Sequence, residues 1–165
     1  MNDDAAPVGA VVDAGAAKRT VIVSSMASDS HTWNLVYLEL LLGELGFDVV
    51  NLGACVPDEL LRSEYLSRRP ALLVLSSVNG HGYQDGLRVI RRLREFPQAH
   101  RAPVVIGGKL GIGGALTEDE VGQLLLAGFD AVFDDQRDPA PFHRLAAELS
   151  TGSAQLPVRV EGAEA

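Results

Sequence analysis

The sequence predicts a doubly wound α/β fold built on a five-stranded parallel sheet. Short runs of β-branched and apolar residues alternate with leucine-rich helical patterns, and turn residues separate the two. This alternation is typical of a parallel sheet with helices on both faces. Five strand–helix units of similar length fit the flavodoxin-like strand order 2-1-3-4-5, in which the winding reverses between the first and third strands.

The first two units are predicted from residue 20 onward. Thr20–Ser25 is a β-branched apolar run, as expected of a strand buried on both faces. Trp33–Leu45 carries leucines at helical spacing and ends at Gly46, a suitable helix C-cap. Phe47–Leu52 is the second strand, and the helix after it opens at Pro57 with two acids in its first turn.

The third unit contains the most hydrophobic strand. Ala71–Ser77 is apolar through most of its length, which makes it the candidate for the centre of the sheet. A helix is predicted from Tyr83 to Phe96, because Pro97 cannot continue it.

The last two units are shorter. Pro103–Ile106 is the fourth strand and leads into a glycine-rich segment. Thr117–Glu120 has the pattern of a helix N-cap with an acidic first turn, and that helix ends near Gly128. Ala131–Phe133 is the fifth strand, and Pro139–Leu149 is the final helix.

Composition indicates one globular domain. The 165 residues suffice for one buried core, and 47% of them are hydrophobic and 22% charged. The net charge of -8 argues against nucleic acid as a partner, since few cations could neutralise phosphates. One predicted helix does carry an arginine cluster, which we interpret as a solvated helix face. Its members are Arg88, Arg91, Arg92 and Arg94.

We expect a folded domain over residues 19–150 between flexible tails at 1–18 and 151–165. The single cysteine, Cys55, cannot form a disulfide within the chain, and we expect it to pack in the interior. No apolar run approaches the ~20 residues that a membrane span needs, and no secretory signal pattern is visible. These features predict a cytoplasmic protein without a membrane partner.

The loop after the first strand holds an Asp-x-His pair, Asp29 and His31. A carboxylate at this spacing can bind one imidazole nitrogen and leave the other free for a metal. A structural zinc site needs about four nitrogen or sulfur ligands, so a metal at His31 must bring its other ligands, as haem or a corrinoid does. The alternative is that His31 is a hydrogen-bonding loop residue.

Two further loops are expected at the same edge of the sheet, where α/β proteins bind ligands. Asn79–Gly82, with His81, follows the third strand, and Gly107–Gly114 follows the fourth. The glycines permit either close backbone approach of a ligand or simple flexibility. Lys109 is equally suited to a phosphate and to solvent, and His81 equally to a turn and to a contact. No Walker A motif is present.

Asp134-Asp135, after the fifth strand, offers a further alternative: a divalent cation site like that of receiver domains. Such sites also draw acids from the end of the first strand, where this chain has Ser24-Ser25. We therefore disfavour a cation site.

With these motifs the chain resembles the small cobalamin-binding subunits of glutamate mutases, and more broadly the B12-binding domains of other mutases and methionine synthase. That family has Asp-x-His-x-x-Gly, Ser-x-Leu and Gly-Gly after its first, third and fourth strands. The similarity spans about residues 19–149. Asn34 and Val78 stand where the family has Gly and Leu, and residues 134–137 replace its Gly-Thr turn. The matching segments are Asp29-x-His31-x-x-Asn34, Ser76-x-Val78 and Gly107-Gly108.

The resemblance implies that the chain binds adenosylcobalamin, with His31 as the cobalt ligand in place of the cofactor's own base and Asp29 hydrogen-bonded to it. The nucleotide tail of the cofactor would enter a slot between the sheet and the first helix. The cofactor-binding residues so implied are Ser28, Asp29, Ser30, His31, Thr32, Asn34, Ser76, Ser77, Val78, Gly80, Gly107, Gly108, Lys109, Leu110 and Gly111.

The resemblance also implies a partner, a larger TIM-barrel mutase subunit that binds the substrate, so the small chain alone would be inactive. Two alternatives remain open. The chain could be a corrinoid carrier or sensor without mutase activity, or a flavodoxin-like partner protein that has lost B12.

Overall fold

The structure is a computed structural model, which describes residues 17–95, 102–134 and 138–154. Strands and helices alternate strictly over these residues, as the sequence predicts. The strands are β1 (Thr20–Ser24), β2 (Asp48–Asn51), β3 (Leu72–Ser77), β4 (Val104–Gly108) and β5 (Ala131–Asp134). The helices are α1 (Trp33–Glu44), α2 (Asp58–Arg68), α3 (Gly82–Arg94), α4 (Glu118–Ala127) and α5 (Ala140–Thr151).

The five strands form one parallel sheet in the order β2-β1-β3-β4-β5, which confirms the predicted flavodoxin-like topology. Every residue of the central strand β3 is buried, as its hydrophobic sequence predicts. The winding reverses between β1 and β3, so the loops that follow these two strands leave the sheet on either side of the same crevice.

Hydrophobic clusters cover both faces of the sheet. On one face the side chains come from α1 and α5, including Leu35, Leu42 and Phe142. On the other face they come from α2, α3 and α4, including Leu61 and Ile90. Burial of each such side chain stabilises the folded state by about 1.5–3 kcal/mol. A few apolar residues on one stripe of α1 therefore hold that helix on the sheet.

Strand β4 runs two residues further than predicted. Gly107 and Gly108 pair with Ser76 and Ser77 of β3 and also with the end of β5. The prediction ended the strand at Ile106, before the glycine-rich segment. In the structure two flanking strands supply backbone partners for both glycines.

The start of α4 confirms the predicted N-cap. Thr117 Oγ1 accepts a hydrogen bond from the Glu120 backbone N–H at 3.3 Å, and the Glu120 carboxylate accepts one from the Thr117 N–H at 2.8 Å. This reciprocal capping box satisfies two N–H groups that the helix leaves unpaired.

The interpretation of the α3 arginines as a solvated face is wrong for Arg94. Its side chain is 14% exposed, and it donates to Asp130 at 2.8 Å and to the Tyr65 hydroxyl at 3.0 Å. Arg88 and Arg92 are half-exposed and bridge to acids of α2. The cluster therefore joins α3 to its neighbours, because α3 lies between α2 and α4.

The expectation that Cys55 packs in the interior is also wrong. Cys55 is exposed and adopts a left-handed backbone conformation with φ of 52°. Its N–H donates to the Asp29 carbonyl at 2.8 Å, so the backbone, and not the thiol, makes the structural contact.

No helix within the described ranges combines the length and apolar character required to cross a membrane. The predicted tails fall almost entirely on residues outside the described ranges, as do Phe96, Pro97 and residues 135–137.

Candidate functional site

The loops that follow β1, β3 and β4 meet at the carboxyl edge of the sheet, as the sequence predicts. The Asp29 carboxylate accepts a hydrogen bond from the Val78 N–H at 2.7 Å. The Asn79 amide donates to the Ser28 carbonyl at 3.0 Å, and the Gly80 N–H donates to the Lys109 carbonyl at 3.2 Å. These bonds make one continuous site from three separate loops.

Asp29 and His31 form the predicted pair. Asp29 Oδ1 lies 2.7 Å from His31 Nδ1 and also accepts the His31 backbone N–H at 3.0 Å. The Asp29 side chain is fully buried, whereas that of His31 is 47% exposed. Because Asp29 occupies Nδ1, the ring nitrogen that remains available to a ligand is Nε2.

The surroundings of Asp29 keep it ionised. Burial acts to raise its pKa, but hydrogen bonds from the backbone N–H groups of His31 and Val78 and from the His31 ring outweigh burial. The pKa of Asp29 therefore lies below its ordinary value. An ionised carboxylate at Nδ1 fixes the orientation of the imidazole and makes Nε2 a better electron donor.

A buried acid that the sequence analysis missed secures the neighbouring Ser28. Asp85 of α3 is 7% exposed, accepts a hydrogen bond from the Ser28 hydroxyl and pairs with Arg88. The hydrogen bonds that Arg88 donates to Asp58, and then to Asp85, outweigh the effect of burial and raise the pKa of Arg88. One feature of the sequence could have pointed to Asp85: it stands four residues before Val89, on the stripe of α3 that faces the core.

Asn79 links the same loop to the third strand. Its Oδ1 accepts from the Ser77 hydroxyl at 3.1 Å and from the His81 N–H at 2.9 Å, while its Nδ2 reaches Ser28. The His81 side chain is exposed at the start of α3. Among the polar residues of this loop, Asn79 is therefore the one that bridges to the His31 loop.

A cavity of about 280 Å³ lies beside the site, between the sheet and helices α1 and α5. We call it the α1–sheet cavity. It is close to the lower end of the ~300–1,000 Å³ range of small-molecule sites, and most of its lining is apolar. Val78, whose N–H binds Asp29, also lines it. Its other walls include Trp33, Asn34, Tyr37, Val74, Ser76, Val105, Gly107, Gly108, Phe133, Asp134, Asp138 and Phe142.

Gly107 and Gly108 leave one wall of the cavity without side chains. A Cβ at Gly108 would lie 2.1 Å from the Ser77 carbonyl oxygen, and the residue has φ of 102°. A Cβ at Gly107 would lie 2.9 Å from the Phe133 carbonyl oxygen. Only glycine fits at Gly108. The two glycines therefore allow the close packing of the sheet, and they also leave the cavity open on this side.

Asn34 contributes a buried amide to the cavity wall. The residue is 5% exposed, and its Nδ2 donates to the Ser76 hydroxyl at 2.6 Å. Within the part of the chain that the structure describes, its Oδ1 has no hydrogen-bond partner. A buried unpaired acceptor costs about 1–3 kcal/mol, which makes it an unusual feature.

Several predicted site residues lie away from this cavity. Lys109 is exposed, and Leu110 is fully buried in the cluster under α2–α4. A Cβ at Gly111 would lie 2.7 Å from the Gly114 carbonyl oxygen. Ser30 and Thr32 are exposed beside His31. The assignment of these five residues to a cofactor stays a prediction, as does that of the other predicted site residues.

The acidic alternative after β5 is only partly described. Asp134 is buried and accepts the Leu116 N–H at 2.7 Å, and Asp135 lies outside the described residues. Among the described residues, no group of three or more His, Cys, Asp or Glu side chains could hold a metal ion. A metal at His31 would therefore take its other ligands from elsewhere.

A known family and a known protein each match most of this chain. The family described as B12 binding domain matches residues 19–141. Glutamate mutase sigma subunit 1 of Haloarcula marismortui is 32% identical over 150 residues, which cover 87% of this chain and 95% of that protein.

Solved structures agree in fold. A cobalamin-binding protein from Desulfitobacterium hafniense aligns over 81% of this chain and 60% of its own, with a TM-score of 0.64 and 17% identity. The methanol:cobalamin methyltransferase complex MtaBC from Methanosarcina barkeri aligns over 81% of this chain and 47% of its own, with a TM-score of 0.59 and 25% identity. This chain thus spans less than two thirds of either. Signal receiver domains share the fold alone, at 13–18% identity.

Proposed function

The chain belongs to the B12-binding domain family, with glutamate mutase sigma subunits among its relatives, and we propose that it is the adenosylcobalamin-binding subunit of a glutamate mutase-like isomerase. The observation that carries the proposal is the His31–Asp29 pair beside the α1–sheet cavity. Val78 connects the pair to the cavity, because its N–H donates to Asp29 and the same residue lines the cavity.

The donor set fits a corrinoid. A corrinoid brings most of the ligands of its own cobalt, so the protein would need to add only one, and His31 would supply it. His31 offers one exposed imidazole with Asp29 fixed at Nδ1. The apolar cavity next to it, with glycines in one wall, offers space for a nucleotide tail displaced from the metal.

The protein's own residues prepare this ligand. Asp29 accepts a hydrogen bond from Nδ1–H, so Nε2 would carry the lone pair available to cobalt. The Val78 and His31 N–H groups hold the Asp29 carboxylate, which keeps the imidazole from rotating. When bound, the cofactor supplies the cobalt–carbon bond whose cleavage starts the carbon-skeleton rearrangement.

The substrate would bind to a second, larger TIM-barrel subunit. Support comes from the relatives, which are named as sigma subunits of glutamate mutase, and from the related fold within the MtaBC complex. We expect the present chain to be inactive alone and to work in the cytoplasm.

Absorption titration with adenosylcobalamin tests the binding role. We expect the wild-type protein to shift the spectrum to the form in which the cofactor's base is displaced and histidine binds cobalt. His31→Ala should lose that form. His81→Ala is the matched control, since it removes an exposed imidazole at the same edge of the sheet, and it should behave as wild type. A histidine-bound spectrum that persists in His31→Ala contradicts the assignment.

Addition of the large subunit of a glutamate mutase tests the catalytic role. The proposal predicts interconversion of glutamate and methylaspartate only when both chains and the cofactor are present. Tight binding of the cofactor with no isomerisation would instead support a corrinoid carrier or sensor.

A further inference from the structure

The buried acid Asp85 of α3 belongs neither to the Asp29–His31 pair nor to the lining of the α1–sheet cavity. We propose that Asp85 is a positioning residue for the cobalt-binding histidine, and that it acts through the hydroxyl of Ser28. The inference rests on the proposed function, because it concerns how the same axial ligand is held.

The Asp85 carboxylate is fixed on both of its oxygens. The residue lies in the first turn of α3 and is 7% exposed. Its Oδ2 accepts a hydrogen bond from the Ser28 hydroxyl, and its Oδ1 accepts one from Arg88. Arg88 in turn donates to Asp58 of α2 at 2.8 Å. A buried carboxylate with a partner on each oxygen has little freedom to rotate, so Ser28 meets an acceptor at a fixed position.

The loop that carries Ser28 needs such an acceptor, because its outer side faces an open cleft. Ala27 and Ser28 are exposed and line a space of about 560 Å³ between the loop, α2 and α3. Most of the other residues that line this space are charged, namely Asp58, Glu59, Asp85, Arg88 and Arg92. Hydrogen bonds, and not apolar contacts, therefore hold Ser28 on this side.

The position of Ser28 determines that of the Asp29 carboxylate. The Asp29 N–H donates to the Met26 carbonyl at 3.0 Å, so Ser28 and Asp29 share one tight turn. Asn79, just before α3, holds the Ser28 carbonyl at 3.0 Å. A displacement of Ser28 would move Asp29, whose Oδ1 lies 2.7 Å from His31 Nδ1. The orientation of the imidazole therefore depends on α3 and on the loop that leads into it.

Removal of Asp85 should have a smaller effect than removal of Asp29 itself. The Asp29 carbonyl is held separately by the Cys55 N–H at 2.8 Å and by the Ser25 hydroxyl at 3.1 Å, and both bonds remain without Asp85. We expect Asp85→Ala to weaken adenosylcobalamin binding about 3- to 10-fold, below the ~10–100-fold typical of losing the direct partner of a metal-bound histidine. The histidine-bound share of the absorption spectrum at saturating cofactor should also fall.

A double-mutant cycle by absorption titration tests the link between the two residues. Ser28→Ala should weaken binding at least as much as Asp85→Ala does. The double variant should bind like Ser28→Ala alone, because both changes remove the same hydrogen bond. Ser28→Thr keeps the hydroxyl and should bind as wild type does. Additive losses in the double variant would show that Ser28 and Asp85 act separately, and would overturn the inference.

Asp130→Ala is the matched control for loss of a buried acid. Asp130 pairs with Arg94 at 2.8 Å and accepts the Val104 N–H at 2.8 Å, at the amino ends of the strands, away from the His31 loop. Its removal should lower the free energy of unfolding in urea but leave the dissociation constant and the spectrum unchanged. If Asp130→Ala weakens binding as much as Asp85→Ala, general loss of stability explains both and the inference fails.

The remaining outcomes separate the inference from the proposed function. If the wild-type protein binds through His31 and Asp85→Ala binds equally well, the proposed function stands and only the inference fails. If Asp85→Ala does not fold, Ser28→Ala decides, since it changes an exposed residue and unchanged binding there overturns the inference. If the wild-type protein does not bind the cofactor, the proposed function fails and the inference with it.

Discussion

At the scale of single residues, the site depends on one carboxylate with three hydrogen bonds. Asp29 accepts from the His31 ring, from the His31 N–H and from the Val78 N–H, and it is fully buried. The same side chain therefore orients the His31 imidazole and ties the loop after β1 to the loop after β3. Loss of Oδ1 as an acceptor should affect the imidazole, and loss of Oδ2 should affect the tie between the loops.

Asp29→Asn should weaken cobalamin binding by about 10–100-fold, a typical effect of removing the partner of a metal-bound histidine. The amide would place an NH₂ group against either the Val78 N–H or His31 Nδ1–H, where two donors cannot pair. Absorption titration measures the change. Asp48→Asn, at an exposed position of β2, is the control and should bind as wild type does. Equal affinity of Asp29→Asn and wild type would show that the pair is not needed.

Sequence could predict the Asp29–His31 pair because two residues of spacing already bring the groups together. It could not predict the contact of Ser28 with Asp85, which lies 57 positions away and depends on how α3 packs. It also could not show that Asn34 has an unpaired oxygen, since that depends on Ser76 in another strand.

At the scale of elements, the sequence patterns predicted which strands and helices exist, and in what order, more accurately than they predicted where each one ends. The helix with the clearest local signal, α4, begins where its capping box predicts. Strand β4 differed because its last two residues are glycines, whose strand conformation is imposed by β3 and β5 and not by local preference.

Gly108→Ala should lower the free energy of unfolding by at least about 2 kcal/mol. The new Cβ would lie 2.1 Å from the Ser77 carbonyl oxygen at a positive φ, so β3 and β4 would have to separate. Gly122→Ala is the matched control. A Cβ there meets nothing within 4 Å, and the free energy of unfolding should rise by about 0.5–1 kcal/mol because alanine favours a helix over glycine. Urea unfolding of both variants measures the difference. A Gly108→Ala protein as stable as wild type would contradict the close approach of Gly108 to the Ser77 carbonyl oxygen.

At the scale of the whole molecule, the doubly wound order places three loops at one edge, and this much followed from the alternation of strands and helices. The fold alone does not give the function, because receiver domains share it. The function was predicted from three short motifs, and those motifs are brought together by hydrogen bonds such as Asp29 to Val78 and Asn79 to Ser28.

The most direct test of the central claim is electron paramagnetic resonance of the protein with the Co(II) form of cobalamin, prepared with ordinary and with ¹⁵N-labelled histidine. If His31 binds cobalt through Nε2, the nitrogen splitting should change from triplets to doublets on labelling. The chain has four histidines, so labelled His31→Ala, which should lose the doublets, assigns the signal. Triplets that persist in the labelled wild-type protein would show that the cofactor keeps its own base, and would contradict the account.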